Sequence, residues 1–374
     1  MTPPPPRRGF GWAALRNHIV SRPGFQAWAV RNRWTRGTAE REGAALMQLV
    51  AGFTYSQVLQ ALVELEILEA VRARAEWPER LADATGTLPE RMEALCQAGA
   101  ALGLLTRTRR GRFRASRTGA ALLGVPGLLQ MIRHNRVLYR DMEDLPALLR
   151  GEGETELARF WPYVFGAGAA SDPETAKTYS DLMADTQSMV AAETLAAVRF
   201  KGAEHILDVG GGTGVFLSSV ARATPDARLT LFDLPAVVEG ARDRIASEGQ
   251  TDRIRIVAGS FRDDPLPEGA DRITLIRVLY DHADETVEAL LGKVFTALQP
   301  GGRIVISEPM LGGRRPDKAT DTYFAFYTMA MGTGRCRSQD RIGAMLKAAG
   351  FTDVRKPHAR RAYVTSVVTA KKPV

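Results

Sequence analysis

A glycine-rich turn between two acidic residues is the part of the sequence best suited to chemistry. The segment GGGTG (210–214) follows the apolar run HILDV (205–209), which contains Asp208, and Asp233 ends the next apolar run, RLTLFD (228–233). Glycines permit a tight turn from a strand into a helix, and they let a ligand approach the backbone closely. A carboxylate at the end of the second strand can accept hydrogen bonds from both hydroxyls of a ribose. The spacing therefore predicts a nucleotide-like ligand at this turn.

Three features of this region favour S-adenosylmethionine as the ligand, although a dinucleotide enzyme would share much of the layout. Asp208 lies at the strand end, where a carboxylate can hold a charged amino-acid group. The turn lacks the G-x-G-x-x-G spacing that places a pyrophosphate on a helix N-terminus. Phe261 follows a third predicted strand (253–258) and offers an aromatic ring on which an adenine can stack. The sequence thus predicts S-adenosylmethionine as the cofactor and predicts no metal site.

The elements around the turn predict an α/β fold for the second half of the chain. From His205 onwards, short apolar runs alternate with helical segments, which is typical of a mostly parallel sheet wound with helices. The preceding stretch, between about 125 and 200, is apolar and helical in pattern and contains Met183 and Met189. Such methionines usually fill a core, but in a protein with a lipid-like substrate they can line a pocket.

The first half of the chain predicts a helical domain with a winged helix. Apolar residues recur every three or four positions over 40–70, which predicts one or two amphipathic helices. The segment 81–105 predicts two helices joined by a turn, and 107–123 predicts a two-stranded wing. A DNA-reading helix needs Arg, Lys, Asn or Gln, whereas the second helix here carries Glu90 and Glu93 and a single arginine. We therefore expect no nucleic-acid partner.

The net charge of +8, from 50 Lys and Arg against 42 Asp and Glu, by itself suggests a polyanionic partner. Nearly all of this excess lies in residues 1–41, which contain eight arginines and one acidic residue. In the same segment Trp12, Leu15 and Ile19 fall at helical spacing, and Phe25 and Trp28 lie on one side of a second turn that begins at Pro23. Arginines alternate with these aromatic residues, a pattern typical of a helix in a membrane interface. An arm that packs on the body of the protein or on a second subunit fits the pattern equally well. Both interpretations stay open.

Several other classes of protein are excluded by simple counts. The two cysteines, Cys96 and Cys336, provide no disulfide framework and no Cys-based zinc or iron–sulfur site. No apolar run approaches the roughly 18–20 residues that cross a bilayer, and the N-terminus lacks the apolar segment of a secretory signal. We therefore expect a cytoplasmic protein, or one attached to the cytoplasmic face of a membrane.

Six motifs, in order along the chain, resemble the small-molecule O-methyltransferase family. They are LDVGGGTG, FDLPAVVEGA, GSFRDDPLPEGAD, LIRVLYDHADE, ALQPGGRIVISEPM and LKAAGF. The resemblance implies a homodimer with a basic arm (1–41), a helical winged-helix dimerisation domain (42–165) and a Rossmann-like methyltransferase domain (166–374). It also implies the following cofactor-binding residues: Asp208, Gly210, Gly212, Gly214, Asp233, Leu234, Ser260, Phe261 and Arg277.

The sequence departs from this family at the catalytic base. The family uses a histidine in a His-Asp-Trp stretch, where this chain has Tyr280-Asp281-His282. His282 would face the same side as Tyr280 if the chain stays extended, and its reference pKa near 6.5 suits a base; alternatively, it is an exposed helix cap. Tyr280, with a reference pKa near 10, suits positioning of the substrate hydroxyl, and a reaction without a dedicated base is the third alternative. Glu308 matches a family acid that orients the histidine, whereas Cys336 stands where a second acid is usual.

Further segments resemble a narrower group, the carotenoid 1-hydroxy O-methyltransferases of purple photosynthetic bacteria. They include WAVRNRWTR, LVAGFTYSQVL and DTYFAFYTMAMGTGRCRS. The last of these carries aromatic and methionine side chains with no charge among residues 323–331, which we interpret as an apolar substrate channel, although core packing explains some of them. The predicted pocket residues are Met183, Met189, Phe324, Tyr327, Met329 and Met331.

The predicted function is O-methylation of the tertiary 1-hydroxyl of acyclic carotenoids, with residues 1–36 contacting an anionic membrane. The alternatives are an O-methyltransferase for phenolic or polyketide substrates and, from another class, a winged-helix regulator that binds S-adenosylmethionine without catalysis.

Overall fold

A computed structural model describes residues 11–160, 186–202 and 204–374 of the chain. Contacts divide the chain into two compact units, Met1–Ala120 and Ala121–Val374. The predicted boundary between 165 and 166 lies outside the described residues. The observed division falls earlier, and it places the helices that follow Ala120 with the C-terminal unit.

The N-terminal unit consists of helices and one small β-hairpin. Proline begins three of the helices, a position where its missing N–H has no partner within the helix to lose. The elements are α1 (Trp12–Val20), α2 (Pro23–Arg31), α3 (Arg36–Glu64), α4 (Ile67–Ala70), α5 (Pro78–Thr85), α6 (Pro89–Ala101), β1 (Leu105–Arg107), β2 (Phe113–Ala115) and α7 (Arg117–Leu123), the last of which crosses the division between the units.

The hairpin after α6 confirms the predicted wing. β1 and β2 pair antiparallel, and Gly111 in the turn between them has a φ of +85°, which glycine adopts without steric cost. The Phe113 side chain is fully buried, and the Phe113 backbone exchanges two hydrogen bonds of 2.8 Å with Glu76. These bonds tie the wing to the segment that precedes α5.

Helix α3 differs from the predicted amphipathic pattern. It is a single helix of 29 residues whose C-terminal end is buried and whose first half is exposed. The exposed half carries large apolar side chains, namely Leu46, Met47, Leu49, Val50 and Phe53. Among the described residues, α3 alone has the length and apolar composition that would suffice to cross a bilayer, with 17% of its most apolar window buried. We expected no such segment, because no apolar run in the sequence approaches the roughly 18–20 residues that cross a bilayer. Only the length and composition of α3 suggest that it could span a membrane.

The C-terminal unit confirms the predicted α/β fold. Its first helices are α8 (Leu128–Asp141), α9 (Leu145–Arg150), α10 (Glu156–Phe160) and α11 (described over 186–197). The strands are β3 (His205–Val209), β4 (Arg228–Asp233), β5 (Ile254–Ala258), β6 (Ala270–Ile276), β7 (Leu298–Glu308), β8 (Thr352–Arg355) and β9 (Ser366–Lys371). The helices between them are α12 (Val215–Ala223), α13 (Pro235–Ser247), α14 (Asp284–Ala297), α15 (Ala325–Ala330) and α16 (Gln339–Ala348).

The seven strands form one sheet in the order β5-β4-β3-β6-β7-β9-β8. Strands β3 to β7 pair parallel, whereas β9 pairs antiparallel with both β7 and β8. The strand order reverses between β3 and β6, and ligands of such sheets bind at the carboxyl ends of the strands at this reversal. The sheet therefore brings the turn after β3 beside the turn after β6.

Buried apolar side chains cover both faces of the sheet. Leu207 and Val209 of β3 join one core with residues of α14 and α16, and Ile206 joins the other core with residues of α11, α12 and α13. This alternation along β3 is the pattern of a strand covered by helices on both faces. It fixes the carboxyl end of β3, from which the glycine-rich turn begins.

Candidate active site

The three predicted glycines of the turn all have φ in the left-handed region. A Cβ added to Gly210 (φ +69°) would lie 2.8 Å from the Val278 side chain, and one added to Gly214 (φ +81°) would lie 3.1 Å from Ile245. Gly212 (φ +57°) has no atom within 4 Å of its Cβ position. Gly210 and Gly214 thus allow close packing, whereas Gly212 faces open space that a ligand can enter.

Asp208 is buried at the end of β3 with an unused hydrogen-bond acceptor. Its Oδ1 accepts a hydrogen bond of 2.5 Å from Thr274 Oγ1 on β6, while its Oδ2 has no hydrogen-bond partner in the described part of the chain. Burial and, to a smaller extent, the nearby charge of Asp233 raise the pKa of Asp208 to about 7, although the hydrogen bond from Thr274 opposes this. A buried carboxylate with a free oxygen and an unfavourable desolvation energy is suited to receive a cationic group.

Asp233 is held by the backbone around the turn. Its Oδ2 accepts a hydrogen bond from the N–H of Gly212, and its Oδ1 accepts one from the N–H of Leu234, both at 2.7 Å. Burial raises the pKa of Asp233, while the two N–H donors lower it. The two bonds orient the carboxylate and leave further lone pairs for a diol. The predicted pair of acidic residues is therefore brought together at the turn.

The segment after β5 places Phe261 beside His282. The Ser260 N–H donates to Asp264 Oδ2 at 2.7 Å, which closes the turn that presents Phe261. The Phe261 and His282 rings pack edge to face with centroids 5.2 Å apart. His282 therefore lies beside the ring that was predicted to stack on an adenine.

His282 is a buried, neutral imidazole. Its Nδ1 accepts a hydrogen bond of 3.1 Å from Arg262 Nη2. Burial, together with the charges of Arg262 and Arg337, lowers the pKa of His282 to about 3. The alternative of an exposed helix cap is wrong, because the side chain is buried and Ala283 occupies the N-cap position of α14.

Tyr280 and His282 do not face the same side, because the chain does not stay extended. Leu279–Asp281 forms a 3-10 turn, so Tyr280 contacts Arg277 whereas His282 packs on Phe261. Burial raises the pKa of the Tyr280 phenol above its usual range, although Arg277 opposes this. Tyr280 is therefore a neutral hydroxyl at physiological pH.

Two buried ionisable side chains hold the 3-10 turn. Glu308 Oε2 accepts hydrogen bonds from the N–H groups of Leu279 (3.0 Å) and Tyr280 (3.1 Å), and burial raises the pKa of Glu308 to about 7. Arg337 donates to the carbonyl oxygens of Leu279 (2.9 Å) and His282 (2.8 Å). Sequence reasoning found Glu308 but missed Arg337, because nothing in the sequence shows that this arginine is buried.

The predicted pocket residues separate into different environments. Met183 lies outside the described residues, while Met189 and Phe324 are partly buried. Met329 is exposed, and Met331 is fully buried in an apolar cluster with Leu138 and Leu157, where it packs as core. Among the predicted pocket residues that the structure describes, Met331 is the one that lies in the core and not along a channel.

Two tyrosines of the apolar segment pair with polar residues of α8 that sequence reasoning missed. Ala319–Phe324 is a π-helix, an uncommon element that is frequent at functional sites. Tyr323 Oη donates to Asn135 Oδ1 at 2.8 Å, and Tyr327 Oη lies 2.9 Å from His134 Nε2. Burial lowers the pKa of His134 to about 4, so the pair is uncharged at neutral pH. The segment therefore presents neutral polar groups within an apolar surface.

Comparison with known proteins identifies the family. The O-methyltransferase domain matches residues 139–352, which is more than half of the chain, and the O-methyltransferase dimerisation domain matches residues 47–125. The chain belongs to the O-methyltransferase family. The second match supports a homodimer. It includes four of the five large exposed apolar residues of α3, namely Met47, Leu49, Val50 and Phe53.

Individual O-methyltransferases match nearly the whole chain. The demethylspheroidene O-methyltransferase of Cereibacter sphaeroides is 51% identical over 99% of this chain and 98% of its own length. That of Rhodobacter capsulatus is 52% identical over 93% of this chain and 86% of its own length. Human N-acetylserotonin methyltransferase, solved in complex with S-adenosylmethionine, has a TM-score of 0.75 and 25% identity over 89% of this chain and 98% of its own. The chain is thus an S-adenosylmethionine-dependent O-methyltransferase, and the alternative of a non-catalytic regulator is excluded. Among the described residues, no group of three His, Cys, Asp or Glu side chains is placed to hold a metal ion.

Proposed function

We propose that this O-methyltransferase methylates the tertiary 1-hydroxyl of acyclic carotenoids. The observation that carries the proposal is the identity of 51% with a demethylspheroidene O-methyltransferase over nearly the full length of both chains. Tyr280 at the position of the family's histidine supports it, because a tertiary alcohol is far less acidic than a phenol and calls for a different arrangement. Phe324 and Tyr327, both partly buried, provide apolar surface for a long hydrocarbon.

The turn after β3 fits S-adenosylmethionine. The Oδ2 of Asp208, which has no hydrogen-bond partner among the described residues, would hold the charged amino group, and the carboxylate of Asp233 would accept hydrogen bonds from the ribose hydroxyls. Gly212 leaves room for the ligand against the backbone, and the ring of Phe261 would contact the adenine. Leu234 and Ser260 adjoin Asp233 and Phe261 and complete the proposed cofactor site.

Catalysis by this chain rests on alignment. When bound, S-adenosylmethionine would supply an electrophilic methyl group, whose carbon would bond to the acceptor oxygen as its bond to sulfur breaks. The electron pair of that bond would stay on sulfur, and the hydroxyl proton would pass to water. Holding the acceptor in line can supply on the order of 7–11 kcal/mol of the barrier. Tyr280 contacts the acceptor hydroxyl, Glu308 holds the backbone of Tyr280, and neutral His282 supports the ring of Phe261.

The substrate assignment is tested by methyl-labelled S-adenosylmethionine with hydroxylated acyclic carotenoids in one arm and simple phenols in the other. We expect label to move to the carotenoid 1-hydroxyl. Label that moves only to phenols would refute the carotenoid assignment and favour the phenolic alternative.

We also propose that the N-terminal arm brings the enzyme to an anionic membrane at the cytoplasmic face, where its substrate dissolves. Trp12 and Trp34 are 88% and 80% exposed, and the Arg33 guanidinium lies 4.6 Å from the centroid of the Trp34 ring. Each basic residue near an anionic surface contributes about 1 kcal/mol to binding. Deletion of residues 1–36 should abolish co-sedimentation with anionic vesicles. Unchanged binding would make the arm a packing element of the protein or of its dimer.

A further inference from the structure

The β1–β2 hairpin and the start of α7 carry a dense group of arginines. Residues 107–117 contain six arginines, and no Asp or Glu occurs between positions 94 and 120. The small net charge of the chain outside the arm therefore conceals one strongly basic element, the basic wing. Its arginines are Arg107, Arg109, Arg110, Arg112, Arg114 and Arg117, and all of them except Arg112 are exposed.

Acidic side chains of the protein neutralise little of this charge. Arg107 Nη2 lies 3.6 Å from Glu93 Oε1, but the two side chains are 51% and 57% exposed, so water and salt screen this pair. The other five arginines of the basic wing form no ion pair with any residue that the structure describes. Like charges held this close repel one another, and an anionic partner relieves that repulsion.

The turn of the hairpin is closed by its own hydrogen bonds. The N–H of Thr108 donates to the carbonyl oxygen of Arg112 at 2.7 Å, and the N–H of Gly111 donates to that of Thr108 at 3.0 Å. The hydroxyl of Thr108 accepts a further bond of 3.1 Å from the N–H of Arg112. The turn therefore presents Arg109 and Arg110 on a backbone that needs no ordering when a partner binds.

An exposed tryptophan packs against the same turn. Trp77 is 41% exposed, and its ring carbon Cζ3 lies 3.4 Å from the position that a Cβ on Gly111 would take. Tryptophan is enriched at the level of lipid headgroups, because its ring is apolar whereas its N–H finds water or phosphate. Arginines around a partly exposed tryptophan are thus the composition of a contact with a membrane surface.

We propose that the basic wing, with Trp77, is a second contact with an anionic lipid surface, distinct from the N-terminal arm. The proposal rests on the proposed function only for the reason that the enzyme visits a membrane. Lipid phosphates pair with Arg109 and Arg110, and the ring of Trp77 lies among the headgroups. Two contacts on one chain reinforce each other, since the first to bind raises the effective concentration of lipid at the second.

The helix beside the basic wing favours lipid over nucleic acid as the anion. A helix-turn-helix protein that reads DNA places its second helix in the major groove, which here is α6. Glu90 and Glu93 on α6 are exposed, and their carboxylates would be repelled by the phosphates of a duplex. A lipid surface meets the turn of the hairpin without contacting α6.

Vesicle binding by the full-length protein tests the proposal, with phosphatidylglycerol vesicles as the anionic probe and phosphatidylcholine vesicles as the neutral one. The double variant Arg109→Gln/Arg110→Gln should bind phosphatidylglycerol vesicles roughly 10–30-fold more weakly than the wild type, because each basic residue near the surface contributes about fivefold. The matched control is Arg228→Gln/Arg242→Gln, which removes the same charge from exposed positions of the C-terminal unit. The control should bind within about twofold of the wild type.

Equal binding by the wing variant and the wild type, or an equal loss in the wing variant and the control, would overturn the proposal. Anisotropy with a labelled DNA duplex is the competing measurement. DNA binding that the wing variant loses while its vesicle binding is unchanged would make the basic wing a nucleic-acid contact instead.

Two further measurements separate this proposal from folding and from the proposed function. Retained S-adenosylmethionine binding in calorimetry shows that the wing variant is folded, and a wing variant that sediments as a monomer would place the basic wing in the dimer interface and refute a lipid contact. Label transfer tests the substrate independently of vesicle binding. If deletion of residues 1–36 left vesicle binding unchanged while the wing variant lost it, the arm proposal would fail and the wing proposal would stand.

Discussion

Replacement of Arg337 by methionine should destabilise the enzyme far more than replacement of its neighbour Arg335. Both arginines pair with Asp284, but the Arg337 side chain is 1% exposed and that of Arg335 is 68% exposed. Arg337 additionally donates to the carbonyl oxygens of Leu279 and His282 in the buried turn. Arg335 thus serves as a matched control that shares the ion pair and lacks the burial.

The expected loss in the free energy of unfolding depends on which groups lose a hydrogen-bond donor when Arg337 is replaced. Asp284 keeps Arg341 at 3.1 Å and Arg335 at 3.2 Å, so the carboxylate is not left without a cation. The buried carbonyl groups of Leu279 and His282 lose their Arg337 donors, and each unsatisfied buried group costs about 1–3 kcal/mol. We expect a loss of about 3–5 kcal/mol, within the range measured when one partner of a buried pair is removed. At an unfolding entropy of about 2 cal/mol/K per residue, a chain of 374 residues would show a fall in Tm of roughly 4–6 °C.

Thermal and urea unfolding of the dimer at fixed protein concentration measure this difference. Arg335→Met should cost at most about 1 kcal/mol, as exposed ion pairs do. If Arg337→Met unfolded within 1 kcal/mol of Arg335→Met, the guanidinium would not be the clamp of the turn. The placement of Tyr280 would then not depend on Arg337.

Three further predictions follow from the site and the core. Asp208→Asn should weaken S-adenosylmethionine binding by roughly 10–100-fold, as measured by calorimetry. In the wild type, the affinity should fall as the pH drops below about 7, because Asp208 has a raised pKa of about 7 and its carboxylate becomes protonated below that pH. His282→Asn should keep kcat within about threefold of the wild type. The wild-type pH–rate profile should show no inflection near 6.5 that is due to His282, because its pKa is lowered to about 3. If the variant instead lost most of its kcat and an inflection present in the wild type disappeared, His282 would be the base. Gly119→Ala should lower the free energy of unfolding by about 1–3 kcal/mol, because the added Cβ would lie 2.1 Å from the carbonyl oxygen of Leu104. The control Gly124→Ala should leave the free energy of unfolding nearly unchanged, because the atom nearest to its added Cβ is 3.6 Å away.

Features that depend on residues near one another in the chain, or on one edge of the sheet, could be predicted from the sequence. The glycine turn, Asp208 and Asp233 could be predicted together, because β3 and β4 are consecutive strands that pair parallel. The wing could be predicted from its turn and alternation. These signals are local in the chain, and the elements that carry them are held by ordinary apolar packing.

The rest of the site depends on contacts between distant residues. The 3-10 turn that separates Tyr280 from His282 is held by Glu308 and Arg337, which follow Leu279 by 29 and 58 positions. His134 meets a partner 193 positions later, Tyr327 on α15. The spacing of residues along the sequence does not reveal pairs so far apart. The local sequence was therefore compatible with an extended chain at 280–282, whereas the distant contacts impose a turn there.

Glu308 explains how the residue at position 280 can change without loss of the turn. In the family resemblance Glu308 orients the side chain of a histidine, whereas here its Oε2 accepts from two backbone N–H groups. Backbone contacts do not depend on which side chain the turn carries. Its Oε1 is buried and has no hydrogen-bond partner among the described residues, as expected where a side-chain partner has been replaced. The turn therefore keeps its hydrogen bonds to Glu308 whichever side chain stands at position 280.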